Sequence, residues 1–538
     1  MIRPAIVSVL LALSSWAQLP AEAANCEDLG RLSLPNTAIT AASVPAGTFT
    51  PPGGRPIPNL PAFCRVTGTI KPSSDSNIQF EVWLPAAGWN GKFQGAGNGG
   101  FAGSVNYGSM AAAVNHGYAT ASTDTGHQGT AIDAGWALGH PEKILDFGYR
   151  AIHETAEQAK AIIRAFYGEA PRRSYFSSCS NGGRQALMEA QRFPADYDGI
   201  IAGAPANFWT HLLTQAMWDI QATMRDPASY ISANKLPAIE AAVLAHCDAM
   251  DGVKDGVVDD PSRCHFDPSE LLCKGAESDS CLTMPQVSAL KKIYAGPRTS
   301  TAQQIMPGFP PGGETGGGGW GLWVTGPAPG KSLQFAFGTN FFANMIYNNA
   351  AWDFHTFNVD AGLKAADNKM AGTLNATDPD LTRFRQRGGK LILYHGWNDA
   401  AIPAENSIHY YQNVQAKMGN RNVAEFVRLY MVPGMQHCYG GPGPDMIGQL
   451  GITGGDPQHD LNAALERWVE QGTAADQIIA TKYKSGMDPA GGVVRSRPLC
   501  PYPAVASWNG KGSTDDAANF VCVYPPTTGN VTAPSAHP

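Results

Sequence analysis

Charged residues are scarce in this chain, and positive charge is not in excess. Only 15% of the 538 residues are charged, whereas 43% are hydrophobic, and the formal net charge is −7. This composition is typical of a globular protein with a buried core and argues against intrinsic disorder. The negative balance offers no basic face for nucleic acid, so we expect no nucleic-acid partner.

Long apolar runs are also missing, which excludes a transmembrane helix and argues against a membrane partner. The N-terminal run Ala5–Leu13 is too short to cross a bilayer; it follows Arg3 and precedes Ala21-Glu22-Ala23. This order predicts a signal peptide over residues 1–23, with the alternative that the run is a buried N-terminal helix. We therefore expect a secreted or periplasmic protein.

Cysteines are few but even in number, which in an oxidising compartment indicates disulfides. Four pairs are suggested by proximity or by bracketing a segment, and two cysteines are left far apart in the sequence. Spacing does not determine connectivity, so these pairs are hypotheses: Cys26/Cys64, Cys247/Cys264, Cys273/Cys281, Cys500/Cys522 and the remaining Cys179/Cys438.

No internal repeat is present, and 538 residues exceed what one core usually organises. Residues 62–85 alternate apolar and polar in places, which predicts antiparallel strands. Strands alternate with helices from about residue 91 and again after residue 389, which predicts a parallel sheet and an α/β fold. We predict a core over 24–205, a lid insertion with an acidic loop over 206–383, and the rest of the core over 384–538.

A serine stands between a predicted strand, Ser174–Ser177, and a predicted helix, Asn181–Gln191. In Ser178-Cys179-Ser180-Asn181-Gly182, Ser180 takes the place of the nucleophile in the G-x-S-x-G turn, although Ser178 replaces the first glycine. Small neighbours permit the strained turn, and the helix N-terminus favours a developing oxyanion. The alternative interpretation is an ordinary serine-rich helix cap.

An acid and a histidine follow Ser180 in the chain order of α/β-hydrolases. Asp399 follows the buried run Leu391–Tyr394, and His437 ends the loop after Leu429–Val432. Because parallel strands build sites at their carboxyl ends, we predict Ser180 as nucleophile, His437 as general base and Asp399 as its orienting acid. The alternatives are a turn aspartate and a surface histidine. The fold class predicted is therefore an α/β-hydrolase with a large lid insertion.

Two further groups belong to this prediction. An oxyanion hole needs two backbone N–H groups, one from Asn181 and the other from Gly99 or Gly100; a phosphate loop would need a Lys-Ser/Thr pair that is missing here. A hydrogen bond between Ser180 and His437 would also bring the adjacent cysteines, Cys179 and Cys438, within disulfide range.

Cys179-Ser180 before a glycine pair, Asp399 in His-Gly-Trp-Asn-Asp, and His437-Cys438 together resemble the tannase/feruloyl esterase family. The resemblance covers nearly the whole mature chain. It implies a Cys179–Cys438 bridge and hydrolysis of esters of aromatic acids, feruloyl or galloyl in type. Hydrolysis of mono(2-hydroxyethyl) terephthalate is an alternative within the family. In relatives an acidic residue can stand where this chain has Asn181.

An acidic, glycine-containing loop follows Cys247. Its oxygen donors suit a hard cation, although its spacing is not that of an EF-hand. The resemblance implies a structural Ca²⁺ and no organic cofactor, and the alternative is a solvated acidic turn. The implied ligands are the side chains of Asp248, Asp251 and Asp255 and the carbonyls of Val253 and Val257.

The insertion should recognise a small aromatic ester through aromatic side chains, although such residues are more often core. The candidates in the insertion and beside Asp399 are Phe341, Phe342, Trp352, Phe354, His395 and Trp397. Two rival functions remain at this point. One is a Ca²⁺-dependent hydrolase with metal-activated water, and the other is a non-catalytic aromatic-ligand-binding protein on a hydrolase scaffold.

Overall fold

The computed structural model describes residues 25–451 and 455–524, so the predicted signal peptide over residues 1–23 lies outside the described residues. A nine-stranded sheet organises the fold, in the spatial order β1-β2-β3-β5-β4-β6-β7-β8-β9. Its strands in chain order are β1 Thr37–Val44, β2 Phe63–Ile70, β3 Ile78–Pro85, β4 Lys92–Ala96, β5 Ala119–Thr123, β6 Arg173–Cys179, β7 Gly199–Gly203, β8 Lys390–Gly396 and β9 Val427–Val432.

The first three strands pair antiparallel, as does β3 with β5, and the remaining neighbours are parallel. The antiparallel strands predicted over 62–85 and the parallel strands predicted after them are therefore confirmed. Strands β4 to β9 run parallel, so their carboxyl ends lie at one edge of the sheet, and a crossover connects each strand to the next. This is the α/β-hydrolase arrangement, and the predicted fold class is confirmed.

Alternating side chains bury both faces of the sheet. In β8, Leu391 and Leu393 pack with the helices on one face, whereas Ile392 and Tyr394 pack on the other. Such two-sided burial explains why this strand reads as a continuous apolar run. The helices are α1 Tyr107–Asn115, α2 Pro141–Leu145, α3 Ala151–Tyr167, α4 Asn181–Arg192, α5 Trp209–Met224, α6 Leu236–Cys247, α7 Met284–Ala295, α8 Trp320–Trp323, α9 Leu333–Asn340, α10 Val359–Leu374, α11 Thr382–Gln386, α12 Glu405–Met418, α13 Asn420–Ala424 and α14 Leu461–Gln471.

The predicted boundaries differ from these by one or two residues. The α3 helix begins at Ala151, directly after a π-helical turn over Asp146–Arg150, and α4 ends at Arg192, one residue beyond its predicted end. Asp460 is the N-cap of α14, and its side chain accepts a hydrogen bond from the Ala463 N–H.

The chain between β7 and β8 contains helices α5 to α11 and adds no strand to the central sheet. A π-helical turn over Phe341–Ile346 follows α9 directly. These helices bury their own apolar clusters above the carboxyl edge of the sheet. The domain boundaries at 206 and 383 stay a prediction.

All five predicted disulfides are present: Cys26–Cys64, Cys179–Cys438, Cys247–Cys264, Cys273–Cys281 and Cys500–Cys522. Small antiparallel hairpins complete the fold; they pair Gly47–Phe49 with Ile57–Leu60, Ile478–Ser485 with Asp488–Leu499, and Val505–Trp508 with Phe520–Val523. Within residues 25–451 and 455–524, every helix is too short or too polar to span a lipid bilayer.

Candidate active site

Ser180 lies in the sharp turn between β6 and α4. Its φ of 67° and ψ of −127° are strained for a residue with a side chain. The backbone holds this conformation: the Ser180 N–H donates to the Gly203 carbonyl at 2.9 Å, and the Ser180 carbonyl accepts from the Ala206 N–H at 3.1 Å. The neighbouring turn has no space for side chains, because a Cβ on Gly183 would overlap the Gly203 carbonyl oxygen.

The three residues predicted to act together meet at the carboxyl edge of the sheet. Ser180 Oγ–H donates to His437 Nε2 at 2.9 Å, and His437 Nδ1–H donates to Asp399 Oδ2 at 2.8 Å. Asp399 follows β8 and His437 follows β9, so neighbouring strands place them. This geometry allows proton transfer from the hydroxyl to the imidazole, with the carboxylate fixing the ring's tautomer.

Asp399 is fully buried and accepts four hydrogen bonds. Its Oδ1 accepts from the N–H groups of Ala401 (2.8 Å) and Ile402 (3.0 Å), and its Oδ2 accepts from His437 (2.8 Å) and His395 (3.1 Å). Burial alone would raise the pKa of Asp399, but the charge of His437 and the hydrogen bonds from both histidines hold that pKa below its usual value. The environment of Asp399 therefore favours its ionised form.

His395 was predicted to face the substrate, and this placement is wrong. Its side chain is fully buried beneath Asp399, where Nδ1 accepts from Ser407 Oγ–H at 2.7 Å and Nε2–H points at Asp399 and at the Ile402 carbonyl. The alternation of β8 explains the position, since His395 points to the same face as Leu391 and Leu393. His395 therefore orients Asp399.

The N–H groups proposed for an oxyanion hole lie beside Ser180. Gly99, Gly100 and Asn181 all line the same cavity as Ser180, and within the described chain their N–H groups have no hydrogen-bond acceptor. Gly100 has a φ of +56°, and a Cβ there would overlap the Ala131 carbonyl oxygen. Gln185 supports the loop, because its Oε1 accepts from the Asn98 N–H at 3.1 Å.

The Cys179–Cys438 bridge joins the residues next to Ser180 and His437. Its Cα atoms are 6.0 Å apart although the cysteines are 259 residues apart in sequence. Both ends of the bridge adjoin strained backbone, because Ser180 and Cys438 each have a φ of 67°. The bridge therefore holds the nucleophile turn against the histidine loop.

A cation with no carboxylate partner in the described part of the chain lies behind the nucleophile turn. Arg184 is fully buried and donates to Asn181 Oδ1 (2.8 Å) and to the carbonyls of Phe147 (3.0 Å) and Gly148 (2.7 Å). Its guanidinium also lies over the ring of Trp209. Burial lowers the pKa of Arg184 to about 9. This side chain ties the start of α4 to the turn before α3, so it fixes the direction of the Ser180 backbone.

The triad opens into a cavity of about 620 Å³. Sequence reasoning missed most of its apolar wall, which comes from α5, α8 and α9 and includes Trp209, Leu212, Leu213, Leu322, Trp323, Leu333 and Phe337. The ring of Trp323 lies 5.1 Å from that of His437. One signal was available for Trp209, because it follows the end of β7 at the edge of the sheet that carries the triad.

Five aromatic side chains predicted for substrate binding lie elsewhere. One of them, Phe354, packs against Phe335 on α9, with ring centroids 5.1 Å apart. Phe341 and Phe342 are fully buried, because the π-helical turn after α9 points them into the core of the insertion. Trp352 packs against Phe342 instead, with ring centroids 6.0 Å apart. Trp397 lines a separate cavity of about 540 Å³ behind the triad loop.

The acidic loop combines satisfied and unsatisfied carboxylates. Asp248 accepts from the N–H groups of Asp255 and Gly256 at 3.1 Å, and Asp251 accepts from the Val253 N–H at 2.8 Å. Asp259 is half-buried, and its buried carboxylate oxygen Oδ1 has no hydrogen-bond partner among the described residues. Burial and neighbouring negative charges raise the pKa of Asp259 to about 7.

Donor chemistry in this loop fits a hard cation, and the unpartnered Asp259 oxygen supports it. Asp255 is already paired with Arg497 at 2.5 Å. The carboxylate oxygens of the implied Ca²⁺ ligands are not all within 4.8 Å of one another. Among the described residues, the group of three acidic or imidazole side chains that meets this distance is His153, Glu189 and Asp196. Lys160, 3.7 Å from Asp196, already supplies a cation to that other cluster.

Comparison with known proteins agrees with this geometry. The family model described as "Tannase and feruloyl esterase" matches residues 64–523. An uncharacterised esterase of Xanthomonas campestris pv. campestris is 46% identical, over 97% of this chain and 95% of that protein. The mono(2-hydroxyethyl) terephthalate hydrolase of Piscinibacter sakaiensis is 34% identical, over 94% of this chain and 92% of that protein.

A solved structure gives the same result for the fold. The crystal structure of feruloyl esterase B from Aspergillus oryzae superposes with a TM-score of 0.85 at 31% identity, covering 93% of this chain and 99% of that one. With a family match that spans most of the sheet, the triad residues and the insertion, this chain belongs to the tannase and feruloyl esterase family and is a carboxylic ester hydrolase.

Proposed function

We propose that this enzyme hydrolyses esters of aromatic acids through an acyl-enzyme on Ser180. The observation that carries the proposal is the continuous hydrogen-bond chain from Ser180 Oγ through His437 to Asp399, with distances of 2.9 and 2.8 Å. This hydrogen-bond chain ends at the Asp399 carboxylate, whose orientation is fixed by four hydrogen bonds. A site that only binds a ligand would not need a carboxylate held in this way.

In the first step Ser180 Oγ attacks the ester carbonyl carbon while its proton passes to His437 Nε2. The carbonyl oxygen becomes an oxyanion, which the N–H groups of Asn181 and of Gly99 or Gly100 stabilise. The C–O bond then breaks, and His437 gives the proton to the departing alcohol. Water repeats the sequence on the acyl-enzyme, releases the acid and restores Ser180.

The cavity favours an uncharged aromatic acyl group. Tryptophan, phenylalanine and leucine side chains form its wall, so a planar ring can be buried there. Among the described residues that line it there is no lysine or arginine to pair with a second carboxylate. Esters of feruloyl or galloyl type therefore fit better than mono(2-hydroxyethyl) terephthalate, whose acyl group carries a negative charge.

A direct test combines covalent labelling with turnover. We expect a fluorophosphonate probe to label the wild type and Ser177→Ala but not Ser180→Ala, and mass spectrometry to find an acyl adduct on Ser180 during turnover of methyl ferulate. Ser177 is the matched control because it lies on β6, three residues before Ser180. Turnover by Ser180→Ala at the wild-type rate would refute the proposal.

The acidic loop would hold a structural Ca²⁺ through Asp248, Asp251 and Asp255, with the carbonyls of Val253 and Val257. A divalent cation there would neutralise carboxylates that burial now opposes, and thereby stabilise the loop closed by Cys247–Cys264. The proposed reaction uses Ser180, His437, Asp399 and the oxyanion-hole N–H groups, and no step uses the cation. Secretion through the N-terminal signal is likewise part of this proposal, supported by the five disulfides.

A further inference from the structure

The proposed second oxyanion donor lies in a tight backbone turn. In this turn, Gly99 to Ala102, the Ala102 N–H donates to the Gly99 carbonyl at 2.9 Å. Gly100 and Ala102 both have a φ of 56°, which is uncommon for a residue such as alanine. A strained turn keeps its conformation only where the surrounding structure holds it. The placement of the Gly99 and Gly100 N–H groups at the cavity therefore depends on what contacts this turn.

Phe101, directly after the two glycines, has both of its backbone polar groups engaged. Its N–H donates to the Ala131 carbonyl at 2.7 Å, and its carbonyl accepts from His127 Nε2–H at 2.8 Å. The ring of Phe101 is fully buried and packs against Phe337 and Trp209 of the cavity wall, with ring centroids 5.4 and 5.7 Å apart. These contacts fix the peptide groups on both sides of Phe101.

His127 is built to donate this hydrogen bond. The side chain is 5% exposed, lies outside the cavity lining, and stacks on Trp136 with ring centroids 3.7 Å apart. Burial lowers the pKa of His127 to about 4, so the ring is neutral near pH 7 and carries one N–H. Because the Phe101 carbonyl can only accept, that proton is on Nε2.

The backbone before His127 is anchored to the central sheet. Asp124 Oδ1 accepts from the Gly126 N–H at 2.8 Å and from the Gln79 N–H at 3.0 Å, and Gln79 belongs to β3. The Asp124 carbonyl accepts from the Gly103 N–H at 3.1 Å. The segment that carries His127 and the end of the oxyanion turn are thus tied to each other and to the sheet.

The other side of the turn is tied to the nucleophile helix. Gln185 Nε2–H donates to Asn98 Oδ1 at 2.8 Å, which adds to the bond that Gln185 Oε1 accepts from the Asn98 N–H. The Asn98 carbonyl accepts from Asn181 Nδ2–H at 3.2 Å. Asn98 before the two glycines is therefore held by α4, and Phe101 after them is held by His127.

We propose that His127 is a positioning residue for catalysis, which holds the Gly99 and Gly100 N–H groups at the oxyanion through its hydrogen bond to the Phe101 carbonyl. The inference rests on the acyl-enzyme mechanism proposed above. Without that bond a buried carbonyl loses its donor and the turn relaxes. The N–H groups then move away from the oxyanion, which depends on them more than the ground-state ester does, so kcat should fall and KM should not.

Two substitutions separate the hydrogen bond from the bulk of the side chain. His127→Met removes the donor, whereas His127→Gln keeps an N–H at the reach of Nε2. For methyl ferulate, we expect His127→Met to lower kcat about 100-fold with KM changed less than about 3-fold, and His127→Gln to lower kcat less than about 10-fold.

A styryl trifluoromethyl ketone reports on the oxyanion directly. Ser180 Oγ adds to its carbonyl carbon, the proton passes to His437, and the carbonyl oxygen becomes an oxyanion in a stable adduct. Its Ki should rise in His127→Met by about the factor by which kcat/KM falls. A substitution that only loosened the protein would not link these two quantities.

His153→Met is the matched control. His153 also stacks on an aromatic ring, Phe193, with centroids 3.8 Å apart, and Nδ1 is 2.6 Å from an acceptor, Asp196 Oδ2. This variant should lose stability but keep the wild-type kcat and ketone Ki. If His127→Met does not fold, His127→Asn replaces it, because an asparagine N–H reaches only the position of Nδ1; the same loss of about 100-fold is expected.

The outcomes separate this inference from the mechanism on which it rests. A folded His127→Met or His127→Asn variant with the wild-type kcat, or with an unchanged ketone Ki, overturns the role of His127 while the esterase mechanism stands. If the ketone does not inhibit the wild type, the proposed acyl-enzyme mechanism itself fails.

Discussion

Removing the Cys179–Cys438 bridge should damage stability and catalysis together. In the chain-entropy description of disulfides, a loop of 259 residues corresponds to about 5–6 kcal/mol at 25 °C, an upper value because two shorter bridges lie within it. The bridge also anchors the strained backbone at Ser180 and Cys438. A Cys179→Ala/Cys438→Ala variant should therefore unfold at lower urea concentration, and its kcat should fall about 100-fold as the Ser180–His437 contact loosens.

The matched control is Cys273→Ala/Cys281→Ala, which opens a loop of 8 residues remote from the triad. The same description gives about 2.5 kcal/mol for that loop, and kcat should not change. The measurements are urea unfolding curves and steady-state hydrolysis of methyl ferulate below the unfolding transition. If the folded Cys179→Ala/Cys438→Ala variant keeps the wild-type kcat, the bridge does not position the catalytic residues and this reasoning is refuted.

Three other perturbations test separate parts of the structure. Gly183→Ala should destabilise the protein by about 1–3 kcal/mol, because its Cβ would overlap the Gly203 carbonyl oxygen, whereas Gly99→Ala meets no atom within 4 Å and should leave the unfolding curve unchanged. Burial raises the pKa of Glu314 to about 7, so the folded state holds this proton more tightly than the unfolded state does. The free energy of unfolding of the wild type, relative to that of Glu314→Gln, should therefore fall as pH rises from about 4.5 to 7. A difference in urea midpoint between the two proteins that is the same at about pH 4.5 and about pH 8 would contradict this. Chelation by EDTA should lower the Tm, and added Ca²⁺ should restore it, with kcat unaffected while the enzyme stays folded; metal analysis of purified protein that finds no Ca²⁺ would count against the cation.

The catalytic geometry could be anticipated from the sequence because sheet topology determines it. Parallel strands expose their carboxyl ends at one edge, so residues directly after β6, β8 and β9 must converge wherever else the chain goes. Ser180, Asp399 and His437 each follow such a strand closely. The cysteines adjacent to Ser180 and His437 gave a second, independent distance restraint on the same prediction.

The cavity wall could not be anticipated in the same way. An apolar helix residue packs equally well toward the core or toward a cavity, and only the rotation of the helix decides between them. The π-helical turn over Phe341–Ile346 shifts that rotation, which buries Phe341 and Phe342 and leaves Phe337 at the cavity. His395 was a different kind of error, since period-two alternation in β8 already indicated its inward direction.

The candidate catalytic residues lie at the sheet edge and the cavity wall lies in the helices above it, and this separation has an evolutionary consequence. In the proposed mechanism, proton transfer depends on loops that follow β6, β8 and β9. The cavity wall proposed to meet the acyl ring belongs to α5, α8 and α9, in a segment that contributes no strand to the central sheet. Substitutions in those helices can therefore change which acid the enzyme accepts while Ser180, His437 and Asp399 keep their positions. Diversification within such a lineage should accumulate between residues 209 and 340 far more readily than around the nucleophile.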